Sequence, residues 1–233
     1  MTKYPLRLNK YLAACGVSSR READRLAVSG RVSVDGATAV PGCMVYEHSK
    51  VMLDGRTVTP CTETRLFAWY KPRGVVSTMR DPHADRTVAT ELEGRLPDCG
   101  HFVYIGRLDR DSEGLLLLTN DSSLAHETEK GGGLTQKEYL ADVDREPSDE
   151  DIEKLSEGVF IAELGIATRP CVIKKVSDKR YSIVLTEGKN RQIRRMFGTL
   201  GINVKRLIRI REGGVELGTM KPGEIREVDP KEL

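Results

Sequence analysis

The spacing of apolar positions changes character along the chain. In the first ~60 residues it is helical. Leu8, Tyr11 and Leu12 share one face of a short helix that Gly16 ends, and Ser19 followed by Glu22 predicts a capping box opening a second helix. Ala23, Leu26 and Ala27 face inward on that helix and Gly30 stops it. Arg31 to Gly36 then alternates like a strand entering a tight turn, and Val51 to Gly55 repeats the pattern. The stretch from Thr57 to Thr64 is polar and interrupted by Pro60, which places a domain boundary near residue 62 and gives domains 1–62 and 63–233. Beyond it a period of two dominates. Strands are expected at Leu66 to Tyr70, Phe102 to Ile105, Leu115 to Thr119, Glu138 to Val143, Val172 to Val176 and Tyr181 to Leu185. One helix should start at Ser148, with Asp151 as its third residue, and end at Gly158; another should span about Arg191 to Leu200 and end at Gly201. Strands outnumber helices without alternating regularly with them. The expected class is therefore α+β: a small N-terminal domain of two helices plus short strands, and a larger domain with a mostly antiparallel sheet and flanking helices.

In the last helix Ile193, Met196, Phe197 and Leu200 form the buried stripe. Steps of about 100° per residue put Arg191 and Arg195 opposite it, and Arg194 on the flank about 110° from its centre. Arg194 is thus the local candidate to meet an interior carboxylate, while Arg191 and Arg195 suit phosphates in solvent. The alternative is three surface charges on an amphipathic helix.

A carboxylate in need of such a partner stands in Gly106-Arg107-Leu108-Asp109-Arg110-Asp111-Ser112-Glu113-Gly114, which runs directly into Leu115 to Thr119. Four leucines and a threonine read as a strand buried on both faces, so these acids lie at the rim of a core, where desolvation opposes their charge. Calcium binding fails on context: Asp109, Asp111, Glu113 and Gly114 match the start of an EF-hand loop, but its twelfth position is Asn120 and a strand follows. A solvated charged hairpin and a catalytic carboxylate both remain open from the spacing alone.

Charge narrows the choice of partner. Lys+Arg 37 against Asp+Glu 35 leaves +2 over 233 residues, yet 1–31 carries +5, 186–212 carries +6 and 141–157 carries −6. Two basic blocks offset by an acidic one favour a polyanion, with the acidic stretch turned away from it. Candidate contacts in the first block are Arg7, Lys10, Arg20, Arg21, Arg25 and Arg31; Arg107, Lys189, Arg191 and Arg195 are those beyond it. The five cysteines are odd in number and lack any C-x-x-C pair, which argues against a disulfide framework and a zinc site and fits a reducing cytoplasm. His83, His101 and His126 have no ligand spacing, so no metal is expected. No apolar run approaches a membrane span and the start lacks the core of a signal peptide, so a cytoplasmic protein without membrane attachment is expected.

These residues resemble a known family. Arg7-Leu8-Asn9-Lys10-Tyr11-Leu12, Ser18 to Ala23 and Gly30 to Gly36 look like an S4 RNA-binding module. Tyr70-Lys71-Pro72-Arg73-Gly74, the Gly106 to Thr119 segment, Lys137-Glu138-Tyr139, Glu187 to Phe197 and Lys221-Pro222-Gly223-Glu224 resemble the successive motifs of ribosomal RNA pseudouridine synthases. The resemblance is to the branch that holds the type A enzymes of the small ribosomal RNA and the type B, E and F enzymes of the large one. It implies that Asp109 isomerises a uridine within RNA, that Tyr139 stacks on the target base, that Arg194 is the basic partner of Asp109, and that Leu207 helps close the base pocket. It implies no cofactor, because the reaction needs neither an energy source nor a redox change. The implied partner is ribosomal RNA or a pre-ribosomal particle, with a monomeric protein and a large-subunit (23S) target preferred over a small-subunit (16S) one. Asp111 and Glu113 would be structural or solvated. Two stretches depart from the family pattern: Ser122-Ser123 where a glycine is usual, and Glu129 to Gly133 where a His-Pro stretch is common. Both are expected in loops near the cleft, where they bear on substrate choice. The rivals are a ribosomal assembly factor that binds RNA without catalysis, and a glycoside hydrolase, which would leave both basic blocks unexplained.

Overall fold

A computed structural model of the chain describes residues 4–61, 63–79, 83–97, 99, 101–130 and 135–233. The chain divides into two compact units, Met1–Arg65 with Gly94–Val103 and Thr119–Ser122, and the remainder. Residue 62, where the boundary was expected, lies outside the described residues. The later segments join the first unit through Asn120: its Oδ1 accepts from the Arg65 amide at 2.8 Å, and its Nδ2 donates to the Glu63 and Cys99 carbonyls at 3.0 Å each. Such a join between distant segments leaves no mark in local composition.

In the first unit, helices α1 (Leu8–Ala14) and α2 (Arg20–Val28) carry the expected inward faces. Leu8, Tyr11, Leu12, Ala23, Leu26 and Ala27 pack with Val32, Val45 and Val51 in one core. Ser19 accepts from the Glu22 amide, but the Glu22 carboxylate pairs with Arg25 at 3.0 Å, so only half of the expected capping box forms. The strands Val32–Val34 and Val51–Leu53 pair antiparallel, and each enters a turn with two positive φ values: 51° and 85° at Asp35-Gly36, 49° and 78° at Asp54-Gly55. That geometry twists with the strands, which is why Asp-Gly is chosen there.

The second unit is built on a nine-stranded sheet among the described residues: β1 (Leu66–Lys71), β2 (Val103–Ile105), β3 (Glu113–Thr119), β4 (Lys137–Val143), β5 (Val172–Ser177), β6 (Arg180–Leu185), β7 (Val204–Glu212), β8 (Val215–Glu216) and β9 (Ile225–Val228). The order is β5-β6-β4-β7-β3-β1-β9, with β8 on β7 and β2 on β3. The pairs β4–β6, β4–β7, β5–β6, β7–β8 and β9–β1 are antiparallel, and β7–β3 is parallel. As the leucine run requires, β3 is buried along its whole length. Helix α5 (Asp149–Glu157) has both halves of its capping box, Ser148 with Asp151. Helix α6 (Gln192–Gly198) buries Ile193, Met196 and Phe197. It starts one residue later than expected, because Arg191 is its N-cap in the left-handed conformation, φ 50°.

Among the elements not anticipated are α3 (Val88–Leu92), α4 (Ser122–Lys130), the nine-residue β7 and the short strands β8 and β9. Ser122-Ser123 therefore opens a helix rather than lying in a loop, and Glu129-Lys130 ends it. Residues 131–134, with the glycine run expected to form the other loop, lie outside the described residues.

Candidate active site

The loop between β2 and β3 is held through its backbone at nearly every step. At its start, the Gly106 amide donates to Glu129 Oε1 at 2.7 Å. Ser77 clasps Leu108 reciprocally, its Oγ donating to the Leu108 carbonyl at 2.6 Å and accepting from the Leu108 amide at 3.2 Å. The Gly74 amide donates to the Arg110 carbonyl at 2.7 Å, and the Ser112 amide turns back to the Asp109 carbonyl at 3.1 Å. Fully buried Lys71 donates from Nζ to the Ser112 carbonyl at 2.8 Å and to the Pro72 carbonyl at 3.1 Å. Burial pushes the Lys71 ammonium down to about 8, against the pull of Asp109, Asp111 and Glu113.

This frame sorts the three acids. Glu113 is buried and receives two bonds from Arg206, at 2.7 and 3.2 Å, and one from the Tyr70 hydroxyl at 2.9 Å. Asp111 takes a bidentate pair from Arg191, 2.8 and 3.0 Å, which holds its carboxyl below the usual carboxylate range. Both acids are therefore paired within the protein, and neither is merely solvated. Asp109 keeps a 27 % exposed side chain whose nearest cation is Arg191 Nη1 at 3.8 Å.

That last contact differs from the sequence expectation. Arg194 spends its bonds on the loop's framework: Nη1 to the Val204 carbonyl at 2.6 Å, Nη2 to the Asp111 carbonyl at 3.1 Å and to Ser112 Oγ at 3.5 Å. Its Nε stands 3.5 Å from the Asp111 carboxylate. The helical wheel placed Arg194 correctly on a half-buried flank but misassigned Arg191. A left-handed N-cap residue does not obey the 100° step, so its side chain turns toward the acids.

Asp109, Tyr139 and Leu207 line one small cavity of about 80 Å³. Leu108, Leu185 and Ile193 add apolar wall, and Arg107, Lys189 and Arg191 bring cations to it. Tyr139 is 8 % exposed; burial pushes its hydroxyl up, opposed by the neighbouring Arg209 guanidinium. Gln192, not singled out from sequence, also lines the cavity and ties its rim together, accepting from the Lys189 amide at 2.9 Å and donating to Glu187 at 2.7 Å. Arg195 is directed elsewhere, to Glu163 at 3.5 Å and the Asn190 carbonyl at 3.2 Å.

In the first unit, Arg7, Lys10 and Arg20 line an open groove of about 530 Å³. Arg21 is exposed beside them in sequence. Arg25 pairs with Glu22, and Arg31 with Asp54 at 2.8 and 2.5 Å, so these two are neutralised within the unit.

Comparison with known proteins gives this arrangement a family. Residues 65–199 match the family model for RNA pseudouridylate synthase, and residues 6–42 match the S4 domain. The chain belongs to the RNA pseudouridine synthase family. An uncharacterised RNA pseudouridine synthase of Rickettsia prowazekii (strain Madrid E) is 38 % identical over 232 residues, covering 97 % of this chain and 96 % of that protein. The dual-specificity RNA pseudouridine synthase RluF of Escherichia coli K12 is 38 % identical over 230 residues, covering 98 % of this chain and 77 % of that protein. A crystal structure of a pseudouridylate synthase superposes with a TM-score of 0.69 at 25 % identity, over 97 % of each chain. This RNA pseudouridine synthase thus joins an N-terminal S4 domain to a sheet-rich synthase domain, as its motifs implied. No helix among its described residues is long and apolar enough to cross a membrane.

Proposed function

We propose that this pseudouridine synthase isomerises a uridine of ribosomal RNA, with Asp109 as the reacting carboxylate. The observation that carries the reading is the meeting of Asp109, Tyr139 and Leu207 around one cavity. The reaction breaks the N1–C1′ glycosidic bond, turns the uracil and joins C5 to C1′, with the C5 proton leaving and N1 taking one up. A carboxylate serves this by attacking C1′ as a nucleophile or by taking a proton from C2′, and either route needs it ionised and close to the sugar. Arg191 supplies the nearby positive charge, while Arg194 and Lys71 stiffen the loop so that little reorganisation accompanies reaction. The target base must leave its stack, and the Tyr139 ring offers a surface that replaces about 1–3 kcal/mol of lost stacking. Arg107 and Lys189 at the rim, and Arg7, Lys10 and Arg20 of the S4 groove, are suited to phosphates. The preferred target is the large ribosomal RNA.

The test is a map of pseudouridine in ribosomal RNA from cells lacking the protein, complemented with wild type or Asp109→Asn. One uridine of the large ribosomal RNA modified only with wild type is the expected result. A responding site in the small ribosomal RNA would move the target. Modification by Asp109→Asn would remove Asp109 from the chemistry, and the absence of any responding site would favour a non-catalytic assembly role.

A further inference from the structure

Besides Lys71, the second unit has two other fully buried charges, and these have no part in the chemistry above. Arg209 and Glu212 lie on β7, with side chains 1 % and 0 % exposed. Arg209 Nη2 stands 3.2 Å from Glu212 Oε2, and Lys137 Nζ approaches Glu212 Oε1 at 3.8 Å. Burying such a pair is expensive, and apolar residues of similar volume commonly serve stability as well or better. What an ion pair adds is direction, because a guanidinium fork fixes the groups it bonds.

The neighbours of this pair link β3 to the cavity residue Tyr139. Arg209 Nε donates to the Leu115 carbonyl of β3 at 2.7 Å. In the β4–β7 register Arg209 stands directly opposite Tyr139, so the two side chains share one face of the sheet, and the guanidinium charge opposes the burial that raises the Tyr139 hydroxyl. Gly106, where the loop carrying Asp109 begins, lies against the same pair: a Cβ there would sit 3.7 Å from Glu212 Oε1 and 3.8 Å from Arg209 Nη1. The platform tyrosine and the start of the reactive loop therefore share one charged anchor.

We propose that the buried Arg209–Glu212 pair is a positioning element that holds the Tyr139 ring in the orientation the target base requires. Glu212 orients Arg209, Arg209 holds the phenol, and the ring's opposite end stays in the cavity with Asp109. The inference rests on Tyr139 being the base platform.

The experiment uses the full chain and, as probe, ribosomal RNA from cells lacking the protein, labelled with tritium at uridine C5. Single-turnover tritium release is measured beside the dissociation constant for the same RNA. Arg209→Met with Glu212→Gln removes both charges together, so no lone buried ion is left behind. This double variant should release tritium about 10- to 150-fold more slowly, the equivalent of one charge-assisted hydrogen bond in the transition state, with RNA affinity nearly unchanged. Tyr139→Phe should be slowed comparably, and combining the three substitutions should add nothing further. An unchanged rate in the double variant, or losses that multiply in the triple, overturns the proposal. If the double variant does not fold, Arg209→Lys keeps the charge without the fork, and a full rate in that protein refutes it. The 13C resonance of the Tyr139 ring carbon bearing the hydroxyl, assigned with Tyr139→Phe, reports the anchor without RNA and should move in the charge-free or Lys variant. An unmoved resonance sinks the anchor alone, whereas wild type that releases no tritium sinks the ribosomal RNA reading and leaves the resonance to judge the anchor.

Discussion

Lys71 gives the framework of the reactive loop a measurable pH signature. Its ammonium is fully buried and titrates near about 8 in the folded chain against an ordinary 10.5. Between those values the unfolded chain binds the proton that the folded chain has lost, so stability must rise with pH across that window and reach its full value above 10.5. Below the folded value the whole penalty is in force, on the order of 3 kcal/mol at about 1.4 kcal/mol per unit. From about pH 7 to about pH 9.5 the wild type should recover about 2 kcal/mol of that through this residue alone. Other groups titrate in the same range, and the comparison that cancels them is wild type against Lys71→Met, each unfolded in urea at several pH values. The stability difference between the two should shift by about 2 kcal/mol in favour of wild type as pH rises. A difference that stays flat would mean that Lys71 titrates normally, its burial penalty offset by the carbonyls and carboxylates around it.

Four other outcomes can be checked. Gly114→Ala would place a Cβ 2.3 Å from the Arg209 carbonyl oxygen and 2.7 Å from its amide nitrogen, at a φ of 104°; clash and strain together should cost about 3–5 kcal/mol in urea unfolding, and a loss below about 1 kcal/mol would contradict the close β3–β7 approach. Glu113 is held below the usual carboxylate range first by Arg206 and then by Tyr70, so its contribution is present above its ordinary 4.5 and lost as pH falls through the lower folded value. Glu113→Gln should therefore flatten the acid limb of the stability curve, and an unchanged limb counts against the pairing. RNA affinity should fall steeply with salt if the Arg7, Lys10 and Arg20 groove meets phosphates; a shallow dependence in a filter-binding titration rules that docking surface out. Asp109→Asn should leave RNA binding intact while ending modification, and weakened binding would assign Asp109 a structural role.

Much of the fold was legible because its signals are local. Leu115 to Thr119 read as a doubly buried strand from composition alone, and Ser148 with Asp151 marked a helix start that forms both of its capping bonds. The stripe of Ile193, Met196 and Phe197 is buried as its spacing requires, but Leu200, expected on the same stripe, lies beyond the helix end at Gly198 and is only half-buried. β7 escaped because its inward positions include Arg209 and Glu212, which break the apolar alternation that identifies a strand. A buried charge is invisible to pattern reading until its partner is known. Likewise the carbonyl that Arg209 holds is 94 residues away in sequence, and Glu113 meets Arg206 across 93.

The choice among Asp109, Asp111 and Glu113 shows why the site needed tertiary structure. In sequence all three share one segment, a spacing of two and a rim position, so local chemistry ranks them equally. What separates them is where arginines from β7 and the α6 N-cap arrive. Arg206 closes on Glu113 and Arg191 closes on Asp111, both through two bonds. Asp109 meets Arg191 only at 3.8 Å, and its carboxylate stays partly exposed at the cavity wall. A bidentate pair occupies both oxygens of a carboxylate, whereas a cation just beyond bonding distance leaves them free. Arg191 therefore does two things from one left-handed position: it closes on Asp111 through two bonds and leaves the Asp109 carboxylate accessible at the cavity.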